Sequence, residues 1–436
     1  MVPARVAPGA VCSEAARRIG AVARPSRFSR AGPAVQRAGR RHWRARRQPC
    51  EGACRDVCSR VAARTRDDVA LRGTPNDGDG GDADVGFASI SEALADVAAG
   101  KFVVVLDDED RENEGDLIIA AEHATTESIA FMVNETSGLL CVGMTGEDLD
   151  RLELPLMVTS KENDESMYTA FTVSVDLREG THTGISAQDR GATLRALADP
   201  AMRPHDFRRP GHIFPLRAQS AGVLCRPGHT EAAVDLARLA DCAPAGVLCE
   251  IVNRADGSMQ TTPQLLRFSR DNGLKCITIR DLIHYRLQHE QLVEVAAPPR
   301  DIATPHGPFT AHTFRTVYDD REHVALVRGD VAAHGSDLLV AAHEEDVVGD
   351  VFEAAAGSEV FASMERIASE GRGVLVYSRS QRQPSAAEQQ FPGAAVALVA
   401  RHLGVKSARV LVRSAARYAA LSGLGVQLLG RETPST

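Results

Sequence analysis

Aromatic side chains make up only 4% of the 436 residues, with a single tryptophan, so a core must rest on Val, Leu, Ile and Ala. No apolar run approaches the roughly 18 residues that cross a bilayer as a helix, and no membrane partner is expected. Cysteine stops at Cys276, which leaves the last third of the chain without thiolates for a soft metal cage. Acids are nearly missing from residues 1–66, where only Glu14, Glu51 and Asp56 face Arg17, Arg18, Arg40, Arg41, Arg44, Arg46, Arg47 and others. That composition is that of an organelle transit peptide, without the apolar core of a secretory signal. A basic tail for nucleic acid is the other use of such a segment. The net charge of −8 gives the whole chain no reason to bind nucleic acid.

What is present begins with an acidic linker, residues 76–85, after which folding is expected from Phe87. The length suits two or three domains. Cys12, Cys50, Cys54 and Cys58 fall in the leader; Cys141, Cys225, Cys242, Cys249 and Cys276 read as buried thiols in a reducing compartment. The densest chemistry lies between two apolar strands, Phe102 to Leu106 and Leu117 to Ala121. Asp107, Asp108, Glu109, Asp110, Glu112, Glu114 and Asp116 crowd that loop, with Arg111 among them. Such a cluster repels itself unless a cation compensates, and hard divalent ions take carboxylate oxygens. A solvated acidic loop is the bland alternative; the β-forming flanks and the internal arginine favour a metal and anion site.

Further along, Ser89 caps a helix ending at Gly100, and Thr126 to Glu135 forms a second. Thr169 to Val175 alternates as a strand, residues 180–191 form a hydroxyl-rich loop, and a helix restarts at Thr193. Two Pro-Gly-His triplets follow. One places His212 after a turn and before an apolar strand; the other, at Arg226 to Thr230, opens a helix whose first N–H groups could hold a phosphate beside His229. Either histidine alone is more often structural; the pair favours function. Glu250 sits on a buried strand and must be paired or face a polar site. Strands and helices mix without strict alternation, which predicts an α+β fold.

The runs DDEDRENEGDLIIAAE, TAFTVSV, TGISAQDR, RRPGHIFPLRA, RPGHTEAAVDLARLA and PAGVLCEIVN, in that order, resemble 3,4-dihydroxy-2-butanone 4-phosphate synthase of riboflavin biosynthesis. The resemblance implies a mixed-sheet homodimer with active sites near the subunit boundary and two Mg²⁺ or Mn²⁺ ions per site. It implies conversion of D-ribulose 5-phosphate to 3,4-dihydroxy-2-butanone 4-phosphate and formate. By the same resemblance Glu112 and His229 are metal ligands, and His212 and Glu250 are catalytic. Arg111, Glu112, Asp116, Thr183, Arg226, Pro227, Gly228, His229, Thr230 and Glu250 then contact substrate. Pro227 stands where the family commonly has Gly, so one N–H donor is missing there. Residues 160–167 and the acidic loop are candidates for closing over the site.

Pro298-Pro299 reads as a boundary, and residues 298–436 resemble a smaller α/β GTP cyclohydrolase II in scaffold only. The family's first zinc thiolate is replaced by Asp346, and Gly357 and Glu359 fall at the other two positions. Its phosphate-binding run is replaced by residues 378–383. Zinc and GTP hydrolysis are therefore expected to be absent. The expected organisation is a leader and linker (1–86), a synthase domain (87–297) and a degenerate domain (298–436), placed in the plastid stroma as fused eukaryotic members are. Truncation near Ala297 is expected to leave turnover largely intact. The alternatives are a bifunctional enzyme that also hydrolyses GTP, or a non-catalytic regulatory paralogue.

Overall fold

In this computed structural model the described residues are 86–319, 321–346, 348, 350, 359–379, 385–411 and 419–432. The leader with its four cysteines, the acidic linker, Gly357 and most of residues 378–383 lie outside them. Helix α1 (Ile90–Ala98) starts at Ser89, whose side chain accepts from Glu92 N while Glu92 reaches back in a capping box. β1 (Val103–Leu106) and β2 (Gly115–Ala120) form the antiparallel hairpin that holds the acidic loop. Then come α2 (Thr126–Glu135), β3 (Cys141–Met144), α3 (Gly146–Arg151), β4 (Val175–Leu177), α4 (Ala187–Ala198) and β5 (Phe207–Arg217). α5 (His229–Leu239), β6 (Ala245–Glu250), α6 (Thr262–Asp271), β7 (Lys275–Thr278) and α7 (Ile279–His289) complete the first half.

The seven strands are ordered β4-β5-β3-β6-β2-β1-β7, with parallel β1–β7 and β3–β5 pairs among antiparallel neighbours. Both faces are covered, which explains why VVVL and LIIA show no polar alternation. Val103, Val105, Ile118 and Ala120 join the cluster beneath α1, α5 and α7. Val104, Leu106, Leu117 and Ile119 join the opposite one with Ile129 of α2 and Leu194 of α4.

Three local expectations are corrected. Only Val175 of the alternating run Thr169 to Val175 lies in a ladder strand; Phe171 and Thr172 make isolated bridges. α4 begins at Ala187, because Ser186 accepts from Asp189 N as an N-cap inside the supposed loop. Pro210-Gly211 is strand rather than turn, and β4 lies so close that a side chain on Gly211 would strike Val175 backbone.

The second half is another seven-stranded sheet, built from β8 (Val293–Thr304), β9 (Gly307–Thr316), β10 (Glu322–Arg328), β11 (Leu338–Glu344), β12 (Gly373–Ser378), β13 (Ser407–Leu411) and β14 (Gln427–Glu432). Its helices are α8 (Glu359–Glu370), α9 (Ala386–Gln390), α10 (Ala394–His402) and α11 (Ala419–Gly423). Pro298-Pro299 does not break the chain: it lies within β8, where the ladder with β9 skips between Ala297 and Arg300. The two halves also share a core. Ile279, Leu282, Ile283 and Leu287 of α7 belong to the same apolar cluster as Phe314, Val340, Leu398 and Leu421.

Candidate active site

The acidic loop is held by its first residue. Asp107 accepts hydrogen bonds from Glu112 N (3.1 Å), Glu114 N (2.9 Å) and Arg111 (2.8 Å). Arg111 also pairs with Glu112. Those bonds turn the Glu112 carboxylate toward α5, whose first residue is His229, only 6% exposed. His229 Nε2–H donates to the Val105 carbonyl at 3.0 Å. Nδ1 therefore faces inward, 3.8 Å from Glu112 and 3.8 Å from Asp116. Anchoring the far ring nitrogen on a carbonyl is how a ligating imidazole is oriented.

The electrostatics set two carboxylates, Glu112 and Asp116, around one buried imidazole. Asp116 is 2% exposed and its Oδ1 has no hydrogen-bond partner among the described residues. It lies directly opposite Glu250 in the β2–β6 ladder, an arrangement that like charges disfavour. Burial, only partly offset by His229, raises the Asp116 carboxyl to about 7. Burial would lower His229, yet Asp116 and Glu112 overcome it and lift the imidazole to about 9. Glu112 resists the upward push of burial and is held at about 2 by His229 and Arg111. Ligand atoms of Asp107, Glu112 and His229 lie within 4.8 Å of one another, so a divalent cation fits the donor set.

Glu250 accepts from Ser137 Oγ at 2.7 Å, which pairs the acid expected to be costly. At the start of α5, Gly228 is the N-cap and no side chain caps the helix, leaving its first N–H groups open to an anion. Arg226 is less available than expected. It pairs with buried Glu231 at 2.8 Å and donates to Met167 O and Thr169 Oγ1, tying the loop at 160–167 to this rim. Pro227 and Thr230 flank that rim, with Thr230 buried. Cys225 beside it is exposed, against expectation.

A second cluster is built separately. His212 Nδ1–H donates to Asp176 at 2.7 Å, and the other carboxylate oxygen accepts His212 N at 2.8 Å. Gly184, at φ +90°, presses on both: a Cβ there would lie 2.0 Å from Asp176 Oδ2. Exposed Thr183 is its neighbour. Among the described residues no hydrogen bond or ion pair joins this cluster to Glu112 and His229. The sequence places Asp107 in the acidic cluster without naming it a ligand, and does not single out Asp176. Asp107 carried a signal as the first acid after a buried strand; Asp176 had none, because only the β4–β5 pairing brings it to His212.

Profiles of two families match the chain: 3,4-dihydroxy-2-butanone 4-phosphate synthase over residues 91–285 and GTP cyclohydrolase II over 294–393. Monofunctional riboflavin biosynthesis protein RIBA 2, chloroplastic, of Arabidopsis thaliana is 47% identical over 368 residues, covering 79% of this chain and 77% of the relative. The chain belongs to this riboflavin biosynthesis family. Bifunctional riboflavin biosynthesis protein RIBA 1, chloroplastic, of the same plant is 46% identical over 377 residues, covering 79% and 69%. The crystal structure of RibBX, a two domain 3,4-dihydroxy-2-butanone 4-phosphate synthase from A. baumannii, aligns at a TM-score of 0.65 and 38% identity, over 78% of this chain and 99% of that one. The fold is accordingly an α+β synthase domain followed by a GTP cyclohydrolase II domain, and the chain is a 3,4-dihydroxy-2-butanone 4-phosphate synthase acting on a small molecule.

In the GTP cyclohydrolase II domain a cleft of about 320 Å³ opens among Arg321, His323, His343, Ser378 and Glu388. Among the described residues, Arg321, His323, His343 and Ser378 each present a buried polar atom without a hydrogen-bond partner. Burial lowers His323 to about 4, so the folded protein takes up that proton near pH 4 and the unfolded chain near 6.5. The unfolded state then binds more protons between those values, and stability falls as pH drops through that window. The loss is about 3 kcal/mol, read by denaturant titration, and His323→Gln flattens that part of the pH profile.

Proposed function

We propose that the chain converts D-ribulose 5-phosphate to 3,4-dihydroxy-2-butanone 4-phosphate and formate, with Mg²⁺ or Mn²⁺, two per site, and with no GTP hydrolysis. The observation that carries the reading is the buried, partnerless Asp116 oxygen beside His229 and Glu112. Asp107, Glu112 and His229 would hold metal, Glu112 and His229 as its principal ligands. A bound divalent ion supplies Lewis-acid polarisation of the sugar oxygens. The rest falls to the chain. The open N–H groups of α5 and Arg111 hold the phosphate, with Gly228 allowing close approach and Thr230, Asp116 and Glu250 lining the sugar. His212, its tautomer set by Asp176, moves protons through Nε2, and Thr183 lies at its edge. Arg226 positions the 160–167 loop, which keeps water from reactive intermediates.

Glu112 and His212 belong to separate clusters, and we assign their meeting to a homodimer in which each site takes both from different subunits. Residues 87–297 form the synthase domain and 298–436 the degenerate one, with the strand joining them starting at Val293. The absence of cysteine after Cys276, with Asp346 and Glu359 at thiolate positions, supports loss of ring opening. A second reading, ligand binding without chemistry, is favoured by the polar cleft at His323. The basic leader and the plastid relatives support residues 1–86 as a transit peptide to the plastid stroma. The test is the full chain offered ribulose 5-phosphate with Mg²⁺ and, separately, GTP with Zn²⁺. Formate is expected from the sugar phosphate, stopped by chelation and restored by Mg²⁺, and none from GTP. No formate from ribulose 5-phosphate would sink the assignment; formate from GTP would make the enzyme bifunctional.

A further inference from the structure

A different group of potential ligands gathers at the other end of β2 and β6. β2 runs into a 3₁₀ turn, Ala121–His123, which packs beside the Cys242 loop that precedes β6. His123 Nε2 lies 3.7 Å from Glu122 Oε1 and 3.8 Å from Cys242 Sγ. Ligand atoms of the three residues are all within 4.8 Å of one another. We propose that Glu122, His123 and Cys242 form a three-ligand site for zinc or a similarly soft divalent ion, with water in the fourth position.

The spacing fits tetrahedral coordination. Metal–ligand bonds near 2.0–2.1 Å to N and O and 2.3 Å to S imply edges of about 3.3 Å for N···O and about 3.6 Å for N···S. The observed separations exceed those by a few tenths of an ångström. Each ligand is also held by backbone. Glu122 Oε2 accepts from Ala243 N at 3.0 Å, which leaves Oε1 for the site. The His123 ring lies against Gly100, where an added Cβ would stand 3.1 Å from its Cγ. Cys242 N donates to Ala237 O at 2.9 Å, closing the end of α5. Burial, then the Glu122 carboxylate, pushes the thiol up to about 12, so an incoming cation must displace that proton. Thiolate and imidazole donors exclude Mg²⁺ and Ca²⁺ in favour of zinc.

The site is distinct from the carboxylates of the active site, since Asp116 and Glu250 occupy the opposite ends of the same two strands. It is also unrelated to the missing thiolate cage of the second domain. A bound ion would clip the end of β2 to the start of β6.

The test uses full-length protein with Cys12, Cys50, Cys54 and Cys58 changed to Ser, in excess Mg²⁺ to fill the hairpin. Zinc titration against a chromophoric chelator is expected to find one site that Cys242→Ser abolishes and Glu122→Gln weakens at least about tenfold. Cobalt substitution should give a thiolate charge-transfer band that Cys225→Ser keeps and Cys242→Ser removes. Zinc should raise the thermal midpoint of the parent and leave Cys242→Ser unmoved, with formate release from ribulose 5-phosphate unchanged in both. Equal zinc affinity in parent and Cys242→Ser, or an unaltered cobalt band, would overturn the proposal.

Discussion

Glu112→Gln lowers formate release from ribulose 5-phosphate by on the order of 10³-fold, while the chain still folds cooperatively. The amide keeps the shape and can still meet Arg111, but it removes the charge that faces His229 at 3.8 Å. The loop survives because Asp107 organises it through two backbone N–H groups, independently of the Glu112 side chain's charge. Turnover within tenfold of wild type, measured as formate, would remove Glu112 from the site. His212→Gln is expected to be comparably impaired. Mixing the two variants under exchange conditions then restores about a quarter of wild-type activity, because half of random C₂ dimers are mixed and each keeps one intact site. No recovery on mixing would place both residues in one subunit's site.

Ending the chain at Ala297 destabilises it by on the order of 5 kcal/mol, lowering the thermal midpoint by roughly 10–20 °C. The expected survival of turnover is a separate readout from this loss of stability, which follows from a shared core. α7 belongs to both halves: Ile279, Leu282, Ile283 and Leu287 share their apolar cluster with the second sheet. Its carbonyls are also used, since Arg401 donates to Leu287 O at 3.2 Å and to Gln288 O at 3.1 Å. His284 and Gln288 donate to Gly423 O at 3.1 and 2.8 Å. At the other end of the interface, Gln390 donates to Asp108 in the acidic loop at 2.6 Å, and Ala386 N to Cys225 O at 3.3 Å. A domain stable by only 5–15 kcal/mol does not lose such a surface cheaply. A truncated protein that melts like the full chain would show docking of independent units instead. A lowered midpoint would show that the second domain braces the synthase whether or not it retains any chemistry.

Much of the candidate site's composition is legible locally. Seven acids crowded between two β-forming runs point to a cation site, and a Pro-Gly-His turn before an apolar helix puts an imidazole beside open N–H groups. The Arg226–Glu231 pair is not legible in the run Arg226 to Thr230, which reads as a phosphate clamp, because Glu231 sits inside the helix that run introduces. Strand limits failed where tertiary pairing overruled alternation, as from Thr169 to Val175, and where Ser186 capped α4 early.

The sequence by itself determined the acidic hairpin and its β-forming flanks, the lack of cysteine after Cys276 and the family, because each depends on side-chain chemistry and short-range spacing. The tertiary structure decided which groups meet: Asp116 against Glu250, Asp176 against His212, Cys242 against His123, and α7 between two sheets. Those pairings follow from strand register and helix packing between distant segments, and free energies of that kind are not written in any one stretch of chain.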